Sequence, residues 1–107
     1  EFSGPEEARA LLRRVSQTAG AGFVVAIGGA FADWLYERER GEESADLAEF
    51  ITSLVPNSPD AWWLASHLLR RQGRTKPGAE AALKAARLFN EAGAITEEEA
   101  CYREVLE

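Results

Sequence analysis

The stretch Pro56-Asn57-Ser58-Pro59-Asp60-Ala61-Trp62-Trp63 determines how the sequence divides. Apolar residues recur at helical spacing before it, and a second such run begins after it with the two tryptophans. Proline lacks a backbone N–H and disfavours helical geometry in the residue before it, so Pro56 and Pro59 end the first run. The stretch therefore predicts a turn between two helices, the second of which begins at Asp60.

Helical spacing of apolar residues extends over the rest of the chain and predicts six helices joined by short turns. The first predicted helix is 5–18, capped by Ser3, and the second is 22–40, ended by Gly41. The third helix runs from Ser44 to the Pro56 turn, and the fourth runs from Asp60 to Gly73. The fifth follows the turn Lys76-Pro77-Gly78 and ends at Gly93, and the sixth begins at the cap Thr96. For the last of these, Glu99 completes a capping box and Ile95 packs onto Ala100.

The segment Phe23–Ile27 is the one place where a strand competes with a helix, because it is rich in β-branched residues and has flanking glycines. No other segment alternates with a period of two, so a strand here has no partner. The apolar stripe also continues at helical spacing to Leu35. A helix is therefore predicted, in which Gly28 and Gly29 let a neighbouring helix approach closely.

The side of each helix that carries the apolar residues is predicted to be buried. The predicted core comprises Ala8, Leu11, Leu12, Val15 and Ala19; Val24, Ile27, Phe31, Trp34 and Leu35; Leu47, Ala48, Ile51, Leu54 and Val55; Trp62, Ala65, Leu68 and Leu69; and Ala79, Ala82, Leu83, Ala86 and Phe89.

Two central segments repeat the same pattern of small and bulky residues 34 positions apart. The positions of Ala65, Ser66 and Leu69 match those of Phe31, Ala32 and Leu35, and the second helix of the first unit continues the register with Ser44, Ala48, Ile51 and Pro56. This pattern resembles the tetratricopeptide repeat (TPR) over residues 25 to 92. The sequence departs from the family pattern where the glycine after the first helix falls two places late, at Gly41, and where one residue is inserted before Ala79.

The resemblance implies an all-α fold of antiparallel helical hairpins in a right-handed array of about six helices. Residues 1–107 then form one TPR-like domain, with 3–20 as an N-terminal cap helix, 22–92 as two hairpins and 95–107 as a C-terminal cap helix. Two repeats are fewer than the three that commonly form a stable array, so the cap helices or a homodimer interface must supply further stability.

Composition limits the classes of function. The chain has 107 residues, 46% of them apolar and 28% charged, which is typical of a soluble globular domain. A net charge of −6 argues against a general nucleic-acid binder. The longest uncharged run, Val15 to Ala32, is shorter than the ~20 residues that cross a bilayer. Abundant alanine, with arginine far more frequent than lysine, is typical of bacterial genes of high GC content, and the predicted location is cytoplasmic.

The ends of the chain match the translations of two common cloning sites, at Glu1-Phe2 and at Leu106-Glu107. On that interpretation these pairs are cloning remnants and the chain is a piece of a longer protein. The alternative is that Leu106 belongs to the apolar stripe of the last helix.

Residues able to carry chemistry are scarce. The only histidine, His67, and the only cysteine, Cys101, lie on different predicted helices, and zinc requires three or four such ligands. No catalytic residue, cofactor site or metal ligand is therefore predicted. The basic cluster Arg70, Arg71, Arg74 and Lys76 has three interpretations: cations at a helix C-terminus, a site for an acidic peptide, or weak contacts to phosphates.

The resemblance also implies a groove lined by the first helix of each hairpin, where a partner segment binds. The residues that fall at groove positions are Gly29, Asp33, Tyr36 and Glu37 in the first unit, and Trp63, His67, Arg70 and Arg71 in the second. Consecutive helical residues point ~100° apart, so Trp62 is expected inside the core and Trp63 in the groove, unless a flanking helix covers Trp63.

The predicted function is thus a non-enzymatic module that binds a peptide or helix of a protein partner. The alternatives are a small bacterial secretion-type chaperone and a docking or regulatory domain of an enzyme. Nucleic-acid binding through the basic cluster is the weakest of the interpretations.

Overall fold

The computed structural model describes residues 5–106, with side chains from Glu6 onward. They form six helices: α1 (Pro5–Thr18), α2 (Ala21–Glu37), α3 (Gly41–Leu54), α4 (Pro59–Arg71), α5 (Thr75–Glu91) and α6 (Ile95–Leu106). Residues 5–106 contain no strand, and Phe23–Ile27 lies within α2, so the prediction of an all-α protein is confirmed. The expected cap at Ser3 and the residues Glu1, Phe2 and Glu107 lie outside the described range.

Each helix packs on the next helix along the chain, and α1 also contacts α3 while α2 also contacts α4. The larger apolar cluster joins the first four helices and includes Ala81 of α5. Its largest fully buried side chains are Leu12, Val24, Leu35, Leu47 and Ile51. A smaller cluster joins α5 and α6 through Ala85, Ala86, Phe89 and Cys101. Trp62 contacts both clusters, so the turn that begins α4 links the two parts of the core.

Helix α2 is the most apolar of the six and packs closely on its neighbours at two glycines. Gly28 is buried against the side chain of Ile51 in α3, and Gly29 faces Leu64 in α4. The close approach predicted at the two glycines is therefore present. Among residues 5–106 no helix combines the length and apolarity needed to cross a bilayer.

Three helices end with the same hydrogen-bonded motif. After α2, α4 and α5 a backbone N–H bonds back five residues, from Arg40 to Leu35, from Arg74 to Leu69 and from Ala94 to Phe89. This Schellman motif needs one residue with positive φ. That residue is Gly73 after α4 and Gly93 after α5, but Glu39, with φ 60°, after α2. The residue that corresponds to Gly73 in the first unit is thus Glu39, 34 positions earlier.

Several predicted helix boundaries are wrong by a few residues. Gly41 does not stop α2; it is the first residue of α3, where it lies against the side chain of Gln72. Helix α5 begins at Thr75, so the predicted turn through Lys76-Pro77-Gly78 is instead its first turn. Proline is tolerated there because the N–H of a first-turn residue has no partner within the helix.

The starts of α4 and α6 also differ from the prediction. Ser58 caps α4, its hydroxyl accepting the Ala61 N–H at 3.2 Å, so the helix begins at Pro59 and not at Asp60. Helix α6 begins at Ile95, which makes Thr96 a residue of the first turn and not a cap. Ile95 is 65% exposed, so the predicted packing of Ile95 onto Ala100 does not bury it.

The predicted buried face of α5 is displaced by part of a turn. Leu83 was expected inside the core but is 44% exposed. Ala82, Ala86 and Phe89 are buried as predicted, and Ala81 and Ala85 join them. In α1, Ala8 and Leu12 are buried while Ala19 is exposed. The small residues of α5 allow it to pack closely on both α4 and α6.

Candidate partner-binding cleft

Helices α2 and α4 bring three of the predicted groove residues into contact. Arg71 of α4 donates a hydrogen bond to the Asp33 carboxylate of α2 at 3.0 Å. The same guanidinium lies 3.9 Å from the ring centroid of Tyr36, within the range of a cation–π interaction. Asp33 and Tyr36 lie three residues apart on one face of α2, so Arg71 contacts both.

Helices α4 and α6 bring together a second group. Arg70 donates to the carboxylate of Glu104 on α6. His67 Nε2 lies 3.7 Å from the same Glu104 oxygen. His67 Nδ1 is 2.8 Å from the Trp63 carbonyl, which accepts only, so Nδ1 carries a proton. The rings of Trp63 and His67 meet edge to face with centroids 4.4 Å apart.

Between these groups lies an open cleft of about 520 Å³, lined by His67, Arg70, Arg71, Thr75 and Glu104. The Arg70 and Arg71 side chains remain 32% and 31% exposed. A guanidinium has five N–H donors, and the observed contacts use only some of them. The cleft therefore offers hydrogen-bond donors in excess of its own acceptors, on a chain whose net charge is −6.

The remaining predicted groove residues contribute less. Glu37 is exposed at the end of α2, outside the ion pairs of the cleft. Gly29 faces Leu64 and does not line the cleft. Trp63 is half-buried, with one side against the smaller apolar cluster. Trp62, expected inside the core, is also half-buried, and its indole N–H donates to the Pro56 carbonyl at 2.8 Å. The two tryptophans therefore do not divide into one core residue and one surface residue.

The basic cluster at the end of α4 is largely neutralised by carboxylates that sequence reasoning missed. Arg74 binds Glu42 and lies 3.2 Å from Asp46 and 3.6 Å from Glu49, all on α3. The hydrogen bond from Arg74 lowers the pKa of Glu42. Lys76, the remaining member of the basic cluster, is exposed at the start of α5. These pairs reduce the positive charge available to a phosphate backbone.

Glu104 is the most informative of the missed residues. It lies 34 positions after Arg70, which is itself 34 after Tyr36. Extending the repeat into the last helix would have placed these three residues in one row across α2, α4 and α6. The signal is present in the sequence, because the same spacing continues from the two central units into the last helix.

Cys101 lies away from solvent in the smaller apolar cluster. Burial, together with the nearby Glu104 and Glu98 carboxylates, raises the pKa of its thiol to about 11. The thiol is therefore protonated at neutral pH and a poor nucleophile. Within the described part of the chain, no three His, Cys, Asp or Glu side chains are grouped to hold a metal ion.

A second concavity lies on the other side of α4, between α3 and α5. It measures about 410 Å³, and its apolar lining includes Trp62, Ala65, Leu69 and Ala81. Glu49, Glu80 and Lys84 stand around it, so both signs of charge are present. This second cleft is the alternative site at which an apolar side chain of a partner would bind.

Comparison of the chain with models of protein families, with curated proteins and with solved structures found no match. The TPR resemblance consequently rests on the residues of this chain. The 34-residue spacing recurs in the helix ends at Glu39 and Gly73 and in the row Tyr36, Arg70 and Glu104.

Proposed function

We propose that this protein is a non-enzymatic interaction module, built from TPR-like helical hairpins, that binds a segment of a protein partner in the cleft lined by α4, the start of α5 and α6. The observation that carries the proposal is the position of Arg70 and Arg71. Both are partly exposed, adjacent on α4, and line one open cleft. Arg71 also contacts the ring of Tyr36, and His67, which lines the same cleft, contacts the ring of Trp63. Tryptophan, tyrosine and arginine are the residue types that most often dominate binding energy at interfaces.

The chemistry of the cleft favours a segment that carries a carboxylate. Guanidinium groups bind carboxylates through paired hydrogen bonds. Each arginine already has such a partner within the chain, Asp33 or Glu104. Exposed and half-exposed ion pairs contribute only ~0.2–1 kcal/mol, so exchanging one internal carboxylate for one from a partner costs little. An apolar residue beside the incoming carboxylate would pack on Tyr36.

Selection from a library of random peptides, followed by calorimetric titration of the selected peptides, tests this function. We expect the selected peptides to share an acidic residue next to an apolar one. Arg70→Ala and Arg71→Ala should each weaken binding by about 10-fold or more, since a hydrogen bond to a charged group contributes ~1.5–3 kcal/mol. Arg87→Ala, the same change at an exposed position of α5, is the matched control. Equal affinities for all three variants would reject the cleft as the site.

A further inference from the structure

The outward face of α6 carries a row of large apolar side chains. Ile95 is 65% exposed, Tyr102 is 44% exposed and Leu106 is 86% exposed. At 3.6 residues per turn these three lie within about 40° of one another around the helix axis. Leu83 of α5, 44% exposed, lines a surface depression together with Tyr102 and widens the row. Large apolar side chains exposed along one helix face are typical of an interaction surface.

The corresponding face of α4 indicates what kind of neighbour is missing. The residues 34 positions before Ile95 and Tyr102 are Ala61 and Leu68. They are 0% and 3% exposed, buried where α4 packs against neighbouring helices, α5 among them. In the described part of the chain, α6 has α5 on one side and no following helix on the other. The row on α6 therefore fits another helix lying along it.

We propose that this helix is α6 of a second copy of the chain, packed antiparallel about a two-fold axis. The argument is charge complementarity. Glu99 and Arg103 flank the row on the same side, at about 40° and 80° from Ile95 around the helix. An antiparallel pair centred between Ala100 and Cys101 puts Glu99 of each chain opposite the partner's Arg103. A parallel pair would instead place the charged flanks of the two chains on opposite sides of the row, where Glu99 and the partner's Arg103 do not meet.

The same register also matches the apolar residues. Ile95 of one chain faces the partner's Leu106, and the two-fold symmetry makes this contact occur twice. The two Tyr102 rings lie on either side of the two-fold axis. Glu104 lies about 180° around α6 from Ile95. The dimer therefore leaves the cleft of each copy open and presents two clefts, so a partner with two binding segments would gain avidity.

The expected dimer is weak. Stable interfaces bury ~1,200–2,000 Å² in total, and one face of a 12-residue helix from each chain buries less than that. Sedimentation equilibrium from about 10 µM to about 1 mM covers the expected range of dissociation constants. The average mass should rise from 11.7 kDa toward twice that value.

Charge reversal tests the register. Glu99→Arg and Arg103→Glu should each weaken dimerisation by about 10-fold, because each places like charges opposite one another twice. The double variant Glu99→Arg/Arg103→Glu keeps the net charge at −6 and should restore dimerisation. Glu97→Arg makes the same charge change as Glu99→Arg but about 160° from Ile95, so it should leave dimerisation unchanged.

Two results would overturn the proposal. One is a single-chain mass at every concentration, which would leave the row on α6 to a different helix. The other is dimerisation that the single variants do not weaken or the double variant does not restore, which would place the contact elsewhere. Circular dichroism of each variant ensures that a lower mass does not reflect unfolding. Neither result bears on peptide binding in the cleft, which is measured separately.

Discussion

Gly28→Ala and Gly29→Ala should change the free energy of unfolding in opposite directions, although the two glycines are adjacent in the chain. Gly28 and Gly29 both lie in the middle of α2, so alanine at either position gains up to ~1 kcal/mol of helix propensity. A β-carbon at Gly28 would lie 2.5 Å from Cδ1 and 3.0 Å from Cγ1 of Ile51. At Gly29 it would make ordinary contacts, 3.6 Å from both methyl groups of Leu64.

The magnitudes follow from these distances. Crowding in a packed core costs ~1–3 kcal/mol, which exceeds the gain in propensity. Gly28→Ala should therefore lower the free energy of unfolding by about 1 kcal/mol, whereas Gly29→Ala should raise it by about 0.5–1 kcal/mol. Ile51→Val removes the crowding Cδ1 atom and by itself costs ~0.5–1.5 kcal/mol. Combined with Ile51→Val, Gly28→Ala should become neutral or stabilising.

Urea unfolding followed by circular dichroism gives the free energies of the unmodified protein and the four variants, and the double-mutant cycle isolates the interaction between Gly28 and Ile51. We expect a coupling of about 1–2 kcal/mol. Equal stabilisation by the two glycine substitutions, with no coupling to Ile51, would show that α2 and α3 are farther apart than described. The reasoning about close helix approach would then be refuted.

Three further outcomes are expected. Glu39→Gly should raise the free energy of unfolding by about 1 kcal/mol in urea, because Glu39 has the positive φ that Gly73 takes without strain; no gain would contradict the shared helix ending. The pKa of Glu42 is lowered in the folded state by Arg74, so its stabilising contribution is present above the ordinary carboxyl pKa and is lost as the pH falls through the lowered value. Glu42→Gln should therefore lose less stability than the unmodified protein between about pH 6 and pH 3, and parallel pH profiles would refute the pairing. Cys101, buried with a thiol pKa of about 11, should react with a thiol reagent at pH 7 only as fast as the protein unfolds, and rapid reaction in the native state would contradict its burial.

The helices were predictable from sequence because their apolar periodicity is local information. Their ends were less so. Glu39 takes the conformation that glycine usually supplies, so the nearest glycine, Gly41, lies two residues beyond the true end of α2. Pro77 follows a turn-like pattern of residues, but proline is also compatible with the first turn of a helix, and Pro77 lies in the first turn of α5.

The contacts between helices were the least predictable part. Residue types identified Arg70 and Arg71 as candidate binding groups, but not the carboxylates that hold them. Those partners depend on which helices are neighbours and at what register. The same limit applies to Trp62 and Trp63: both are half-buried because the α5–α6 cluster contacts each of them, and the position of α6 does not follow from the local pattern around α4.

The most direct test of the proposed function is nuclear magnetic resonance of the labelled protein titrated with a selected acidic peptide. The account predicts shift changes at the Trp63 indole, at the guanidinium N–H groups of Arg70 and Arg71, and at the backbone amides of Thr75 and Glu104. Changes confined to Trp62, Ala81 and Lys84 would place the partner between α3 and α5 and would contradict the central claim.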